Sequence, residues 1–160
     1  MPRNNPQEGL LPSIIDRLID PESQGTSWRQ GYDLELMINA IRRDLEELLN
    51  AHPPYNEIPE EWVEVKHSVL TFGLPDLMSV SLETTSSREE LGTIVEAVIA
   101  RFEPRLRNVR AILVESPDGT ERDVRFHIDA EINVDPAPAV AFETILELTT
   151  GQAKIEASTQ

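Results

Sequence analysis

The apolar residues of this chain follow one repeat up to Phe102 and another after it, and that switch constrains the fold more than any single residue. Before Pro104, apolar positions recur every three to four residues; from Val124 to Val134 they recur every second residue. The first repeat belongs to helices with one buried face and the second to strands with one wet face. An all-helical bundle and an all-β sandwich are both excluded. A chain of this kind builds an α+β domain, with helices first and sheet second.

Leu34, Met37, Ile38, Ile41, Leu45 and Leu48 mark a helix from about Tyr32 to Leu49, ended by His52-Pro53-Pro54. Ser87-Arg88-Glu89-Glu90 has the form of a capping box, so a second long helix is expected to start there. It carries Leu91, Ile94, Val95, Val98, Ile99 and Phe102 on its apolar face and stops at Pro104. Leu10 to Ile19 reads as a helix of one to two turns, with Leu11, Ile14, Ile15 and Leu18 on one face. Pro53 to Glu61 is an irregular crossing. Val63 to Phe72 is patterned and closes on a Gly73-Leu74-Pro75-Asp76 turn. Ala111 to Glu115, Val124 to Val134 and Val140 to Leu148 give three strands, the first two joined through Asp118-Gly119, in an antiparallel meander. Residues 1–9 read as a flexible arm, 10–150 as a single small domain and 151–160 as a flexible polar tail.

Composition narrows the function. The 160 residues carry a net charge of -15, which repels phosphate backbones and anionic membranes, so nucleic-acid binding is disfavoured. Basic residues are 12 Arg against 2 Lys, and Arg suits planar pairing with carboxylates at protein interfaces. Cysteine is absent, which removes disulfides, thiol nucleophiles and Cys-ligated zinc and is compatible with a cytoplasmic protein. Unbroken apolar runs such as Ala97 to Ala100 reach four residues, far short of a membrane span.

Catalytic patterns are missing. His52, His67 and His127 lie in separate segments with no nucleophile at recognisable spacing. His127, Asp129 and Glu131 share one strand face and have metal-ligand chemistry, but alternating polar residues are what a half-exposed strand shows anyway. The seven glycines form no phosphate-binding loop. No cofactor, metal or small-molecule substrate is expected.

One stretch stands out. Arg101 to Arg110 holds four of the 12 arginines, a positive island in an acidic chain. Arg101 and Arg105 complement the end of a helix dipole, which does not require four. Pro104 stiffens the corner, so Glu103 and Arg105 are expected to project in set directions toward a partner.

At this corner the chain resembles a known family, the TssE baseplate subunits of type VI secretion systems and their relatives, the wedge proteins of contractile phage tails, which carry an inherited lysozyme label. The matching pieces are Leu10 to Asp20 (LLPSIIDRLID), Arg43 to Asn50 (RDLEELLN), Ser68 to Asp76 (SVLTFGLPD), Glu103-Pro104-Arg105 with Leu106, and the strands around Phe126 to Ala130 and Val140 to Leu146. Ala51-His52 and Thr71-Phe72-Gly73 depart from the family's usual Thr-Arg and Asn-Tyr-Gly. The resemblance implies a small α+β fold and a non-enzymatic part that joins the baseplate wedge to the first sheath ring and initiates sheath assembly. It assigns wedge contacts to Glu103, Pro104 and Arg105, to which the neighbouring Arg101 and Arg107 are added here. It likens the sheet to the sheath's own strand-exchange element. The strand carrying Val140, Phe142, Thr144 and Leu146 is then expected to be an edge that receives a sheath strand, and proline at Thr144 to block it. Implied partners are other wedge subunits and sheath subunits. The alternative reading is a muramidase with Glu103 as its acid. Against it, the surrounding arginines favour a charged carboxylate over the proton donor such chemistry needs.

Overall fold

The computed structural model of the chain describes residue 10 and residues 12–19, 34–54, 58–75, 84–114, 123–134, 138–147 and 152–158. The arm at 1–9, the linker around 21–30 and the Asp118-Gly119 turn lie outside the described residues. The elements run α1 (Ile14–Ile19), α2 (Leu34–Asn50), α3 (Val63–Lys66), a 3-10 turn (Val69–Thr71), α4 (Thr85–Phe102), then β1 (Leu106–Val114), β2 (Asp123–Ile132), β3 (Ala139–Glu147) and β4 (Gln152–Ser158).

The sheet is fully antiparallel in the order β1-β2-β3-β4, so it has four strands where the sequence pattern predicts three. The extra strand is the segment expected to be a tail. Gln152-Ala153-Lys154-Ile155-Glu156-Ala157-Ser158 does alternate, but of its two buried positions among the described side chains, Ala153 and Ile155, one is an alanine, and a small side chain hides a period-2 pattern inside a polar composition.

Helices cover one face of the sheet, α4 above β1 and α2 above β4, and the core lies between the layers. Met37, Ile41, Leu45, Leu48 and Leu49 of α2 and Leu91, Val95 and Ile99 of α4 meet Phe126, Ile128, Ile132, Phe142 and Ile155 from the strands. Burying one such side chain contributes roughly 1.5–3 kcal/mol, so the amphipathic pattern itself holds the layers together.

Local chemistry shifts two boundaries. The α4 N-cap is Thr84 rather than Ser87: the Thr84 hydroxyl accepts from the Ser87 N–H at 3.2 Å, so the helix starts at Thr85. Strand β1 begins at Leu106, not Ala111, and contains a bulge in which Asn108 and Val109 sit opposite one residue of β2. Asn108 adopts φ 54°, a conformation that asparagine tolerates better than most residues. The bulge resets the side-chain phase, so Leu106, Val109, Ala111 and Leu113 face the helices while Arg107 and Arg110 face outward.

Two other parts depart from a simple core reading. On α1 the expected apolar face exists but points to solvent, with Leu18 79% exposed and Ile14 and Ile15 also exposed. Val63 to Phe72 folds as α3 and the 3-10 turn, with Phe72 packed edge-on against Phe102 at 5.3 Å between ring centroids. Leu74 then returns to the end of α2, where its N–H donates to the Ala51 carbonyl at 2.9 Å. That return requires Gly73: its φ is +117°, and a Cβ there would lie 2.1 Å from the Ala51 oxygen.

Candidate assembly site

The corner after α4 is built by proline. Glu103, forced out of the helical region by Pro104, has φ -119° and ψ 78°, and its N–H closes the last turn on the Ile99 carbonyl at 2.8 Å. The Leu106 N–H then donates back to the Glu103 carbonyl at 3.1 Å, which turns the chain into β1. Asn133, just past β2, fastens the corner from the other side. Its N–H donates to the Arg105 carbonyl at 2.7 Å and its side-chain amide to the Pro104 carbonyl at 3.3 Å. Four hydrogen bonds thus fasten the corner.

Its charges do not project as predicted. Glu103 is only 4% exposed, and Arg105 folds back over it. Arg105 Nε donates to Glu103 Oε1 at 2.7 Å, and Nη2 pairs with Glu103 Oε2. The same Nη2 reaches Asp44 Oδ2 on α2 at 2.6 Å. From Asp44 the chain of ion pairs continues to Arg43, 2.6 Å from Nη2, and on to Asp16 of α1, 2.8 Å from the same atom. Ser13 closes the far end, its N–H donating to Asp16 Oδ2 and its hydroxyl accepting from the Asp16 N–H, both at 3.1 Å.

Three carboxylates and two guanidiniums thus join α1, α2 and the corner. Burial works against the charge on Arg105, but the bonds and charge of Glu103 and then Asp44 outweigh it and raise its pKa. For Arg43 the bond to Asp44 leads and raises its pKa in turn. Burial alone would raise the Asp16 carboxyl, but hydrogen bonds from Ser13 and Arg43 prevail and hold it below its ordinary 3.8. Asp16, Arg43 and Arg105 are thereby held in their charged forms. Both Glu103 oxygens accept hydrogen bonds within the protein.

The remaining predicted residues are spread around this clip. Pro104 is exposed at the turn, and Arg101 is exposed on the last turn of α4, its guanidinium 6.0 Å from the Phe102 ring centre. Arg107 lies on the outer sheet face, where it shares Glu131 with Asn108, each at 3.1 Å. His127 Nε2 is 3.2 Å from Asp129 Oδ1, and Glu131 faces Arg107 instead. Among the described residues, no group of three His, Asp or Glu side chains is placed to hold a metal ion. No helix among them is long and apolar enough to cross a membrane.

The strand expected to be an edge is internal. Along β3, Val140 faces Ala130, Phe142 lies between Ile128 and Ala157, Thr144 lies between Phe126 and Ile155, and Leu146 aligns with Val124 and Ala153. Phe142 and Thr144 are fully buried. The presence of β4 is the reason. Proline at Thr144 would therefore disrupt the centre of the sheet rather than a free edge, because main-chain groups of an inner strand are bonded on both sides.

Sequence reasoning missed Asp44 and Asn50, and the first had a signal. Asp44 falls four residues after Ala40 and four before Leu48, on the buried stripe of α2. A carboxylate at that phase implies a buried cation partner.

A family model described as baseplate wedge protein gp25 matches residues 36–137, well over half of the chain. The chain belongs to this wedge family. The matched span contains α2 from Leu36 onward, α3, α4, the Glu-Pro-Arg corner, β1 and β2. A solved chain from the baseplate complex of the type VI secretion system is also similar to this wedge protein, with TM-score 0.47 and 14% identity over 79% of this chain and 97% of the other. No curated protein matches it.

Proposed function

We propose that this wedge protein is a structural subunit of the cytoplasmic baseplate of a type VI secretion machine. In this role it joins neighbouring wedge subunits and seats the first ring of the sheath, and it catalyses nothing. The observation that carries the reading is the family match at 36–137, which encloses the corner together with the helices and strands that brace it.

The corner works in two tiers. Glu103 and Arg105 form its inner brace, and the groups left outside, Pro104, Arg101 and Arg107, face the wedge partners. A brace that is complete without a partner presents those outer groups preformed, which lowers the ordering cost of docking. The internal use of both Glu103 oxygens also speaks against an acid that must hand its proton to a substrate.

Co-purification tests the assignment. The full chain, expressed with wedge and sheath subunits of a type VI secretion system, is expected to retain the wedge subunits. Arg101→Glu combined with Arg107→Glu is expected to weaken that retention at least tenfold, while the loss of the Arg107–Glu131 pair lowers the melting temperature by no more than about 4 °C. Release of peptidoglycan fragments by the purified protein, lost in Glu103→Gln, would overturn the structural reading.

A further inference from the structure

Helix α4 is drawn tightly onto β1 at one point and leaves a space beside it at another. The Ala111 N–H donates to Glu96 Oε1 at 3.0 Å. A Cβ added at Gly92 would sit 2.7 Å from the Ala111 carbonyl oxygen, so glycine is what permits this approach. Further along the helix the packing opens. Between the exposed Ala97 and Ala100 of α4 and the bulged start of β1 at Asn108 lies a groove of about 320 Å³, lined also by Leu106 and Val109. Two alanines leave room there that larger side chains would take, and close-packed proteins leave few such spaces.

The polar groups that line the groove are engaged within the protein. Glu96 holds the Ala111 N–H, the Thr93 hydroxyl donates to the Glu89 carbonyl at 2.9 Å, and Arg107 and the Asn108 amide share Glu131. A small polar ligand needs convergent free donors and acceptors to fix its orientation, and this lining offers apolar surface instead. The charge beside it is positive. Arg110 is 75% exposed and meets Glu96 at 3.5 Å, Arg107 is 48% exposed, and Arg101 is exposed one residue after Ala100. In a chain of net charge -15, three cations around one apolar groove attract carboxylates and repel basic segments.

We infer that this groove receives one large apolar side chain of a wedge subunit, carried on a segment with carboxylates on both sides of it. The inference rests on the reading that the corner faces wedge partners, and adds the pocket and the chemistry that fills it. Leu106 follows Arg105 directly, so the groove opens next to the Glu-Pro-Arg corner. An apolar anchor seated in a preformed pocket concentrates binding energy, while charges on the rim steer the encounter and reject wrong partners. Main-chain pairing plays no part in it: Glu96 occupies the Ala111 N–H, and the bulge breaks the ladder spacing of β1.

The test is binding of the full-length protein to purified wedge subunits of a type VI secretion baseplate. Ala97→Leu combined with Ala100→Leu fills the groove from two exposed helical positions with a good helix former. It is expected to bind at least tenfold more weakly with an unchanged circular dichroism spectrum. Arg110→Glu is expected to bind at least threefold more weakly at low salt, a difference that shrinks as salt screens the charges. Thr93→p-benzoylphenylalanine, irradiated in the complex, is expected to cross-link to a wedge-subunit peptide in which a large apolar residue is flanked by Asp or Glu. Undiminished binding by the folded double-leucine variant, or a complex that gives no cross-link from position 93, overturns the groove while the wedge reading stands. Unchanged binding by Arg110→Glu at low salt, or a cross-link to a basic segment or to a second copy of this chain, overturns the occupant. Absence of any binding by the wild type overturns the wedge reading, and this inference with it.

Discussion

Arg105→Met removes the guanidinium that holds Glu103 and Asp44 while keeping a side chain of similar reach. Glu103 is then left at 4% exposure with only the Arg105 N–H, at 3.2 Å, still bonded to its carboxylate. Breaking one partner of a buried pair costs about 3–5 kcal/mol, because the other charge stays behind without compensation. Here Arg105 is 21% exposed and Asp44 keeps its bonds to Arg43, so that range is discounted for solvent screening to roughly 2–4 kcal/mol. For a chain of this length each kcal/mol lowers the melting temperature by about 2–4 °C, giving a fall of about 5–15 °C. The double variant Glu103→Met, Arg105→Met removes both charges and is expected to recover at least half of the loss, since an apolar pair of similar volume replaces a buried ion pair at little cost. Thermal melts of the wild type, both single variants and the double variant measure the coupling directly. A melting temperature for Arg105→Met within about 2 °C of the wild type, or strictly additive single variants, would refute the brace. It would restore the corner of exposed, partner-seeking charges that sequence reasoning predicts.

Thr144 is 1% exposed, and its hydroxyl finds no hydrogen-bond partner among the described residues. Thr144→Val replaces that hydroxyl by a methyl of similar shape and is expected to raise the melting temperature by about 2–4 °C, corresponding to about 1 kcal/mol; a decrease would show the hydroxyl to be satisfied. Asp16 has a lowered carboxyl pKa in the folded chain, so its stabilisation is complete above the ordinary value of 3.8 and is lost as pH falls through the folded value. Asp16→Asn is therefore expected to be less stable than the wild type at neutral pH, with the gap closing below pH 3.8 in melts run across that range; a gap independent of pH would contradict the pairing with Arg43. Gly73→Ala places a Cβ against the Ala51 carbonyl at a positive φ, and should lower the melting temperature by about 5 °C or more, whereas a neutral result would show that the Gly73 turn is not strained.

How much of this was legible in the sequence depended on what kind of signal each part carries. Helices α2 and α4 and strands β2 and β3 bury many large side chains at regular spacing, and they lie within a few residues of where the periodicity puts them. Strand β4 escaped because Ala153 packs inward without registering as hydrophobic, which leaves Ile155 as an isolated signal. The β1 boundary escaped because a bulge at Asn108 breaks the alternation on which strand reading relies. At the corner, Pro104 made rigidity readable, but the direction of Glu103 and Arg105 depended on Asp44, 59 residues before Glu103 in the chain and visible as a partner only once α2 is laid against the corner. Asn50 gave no signal of its own, since an asparagine at a helix end is ordinary in any chain.

The residues that sequence reading left out share one element. Arg42 and Asn50 of α2 engage the main chain of β4, while Arg43 and Asp44 of the same helix engage α1 and the Glu-Pro-Arg corner. Seventeen residues make a rod of about 25 Å, and a helix with five buried apolar side chains between Met37 and Leu48 does not bend locally to satisfy one end at the expense of the other. The corner and the β4 end of the sheet are thus held in one fixed geometry by a single helix. The corner's charges turn inward because Asp44 of that helix presents a carboxylate 2.6 Å from the Arg105 guanidinium, and that pairing ties the corner to α2. Under the assembly role proposed above, a constant geometry is what a docking subunit needs, and the Asp16–Arg43–Asp44–Arg105–Glu103 chain supplies it by tying α1, α2 and the corner together.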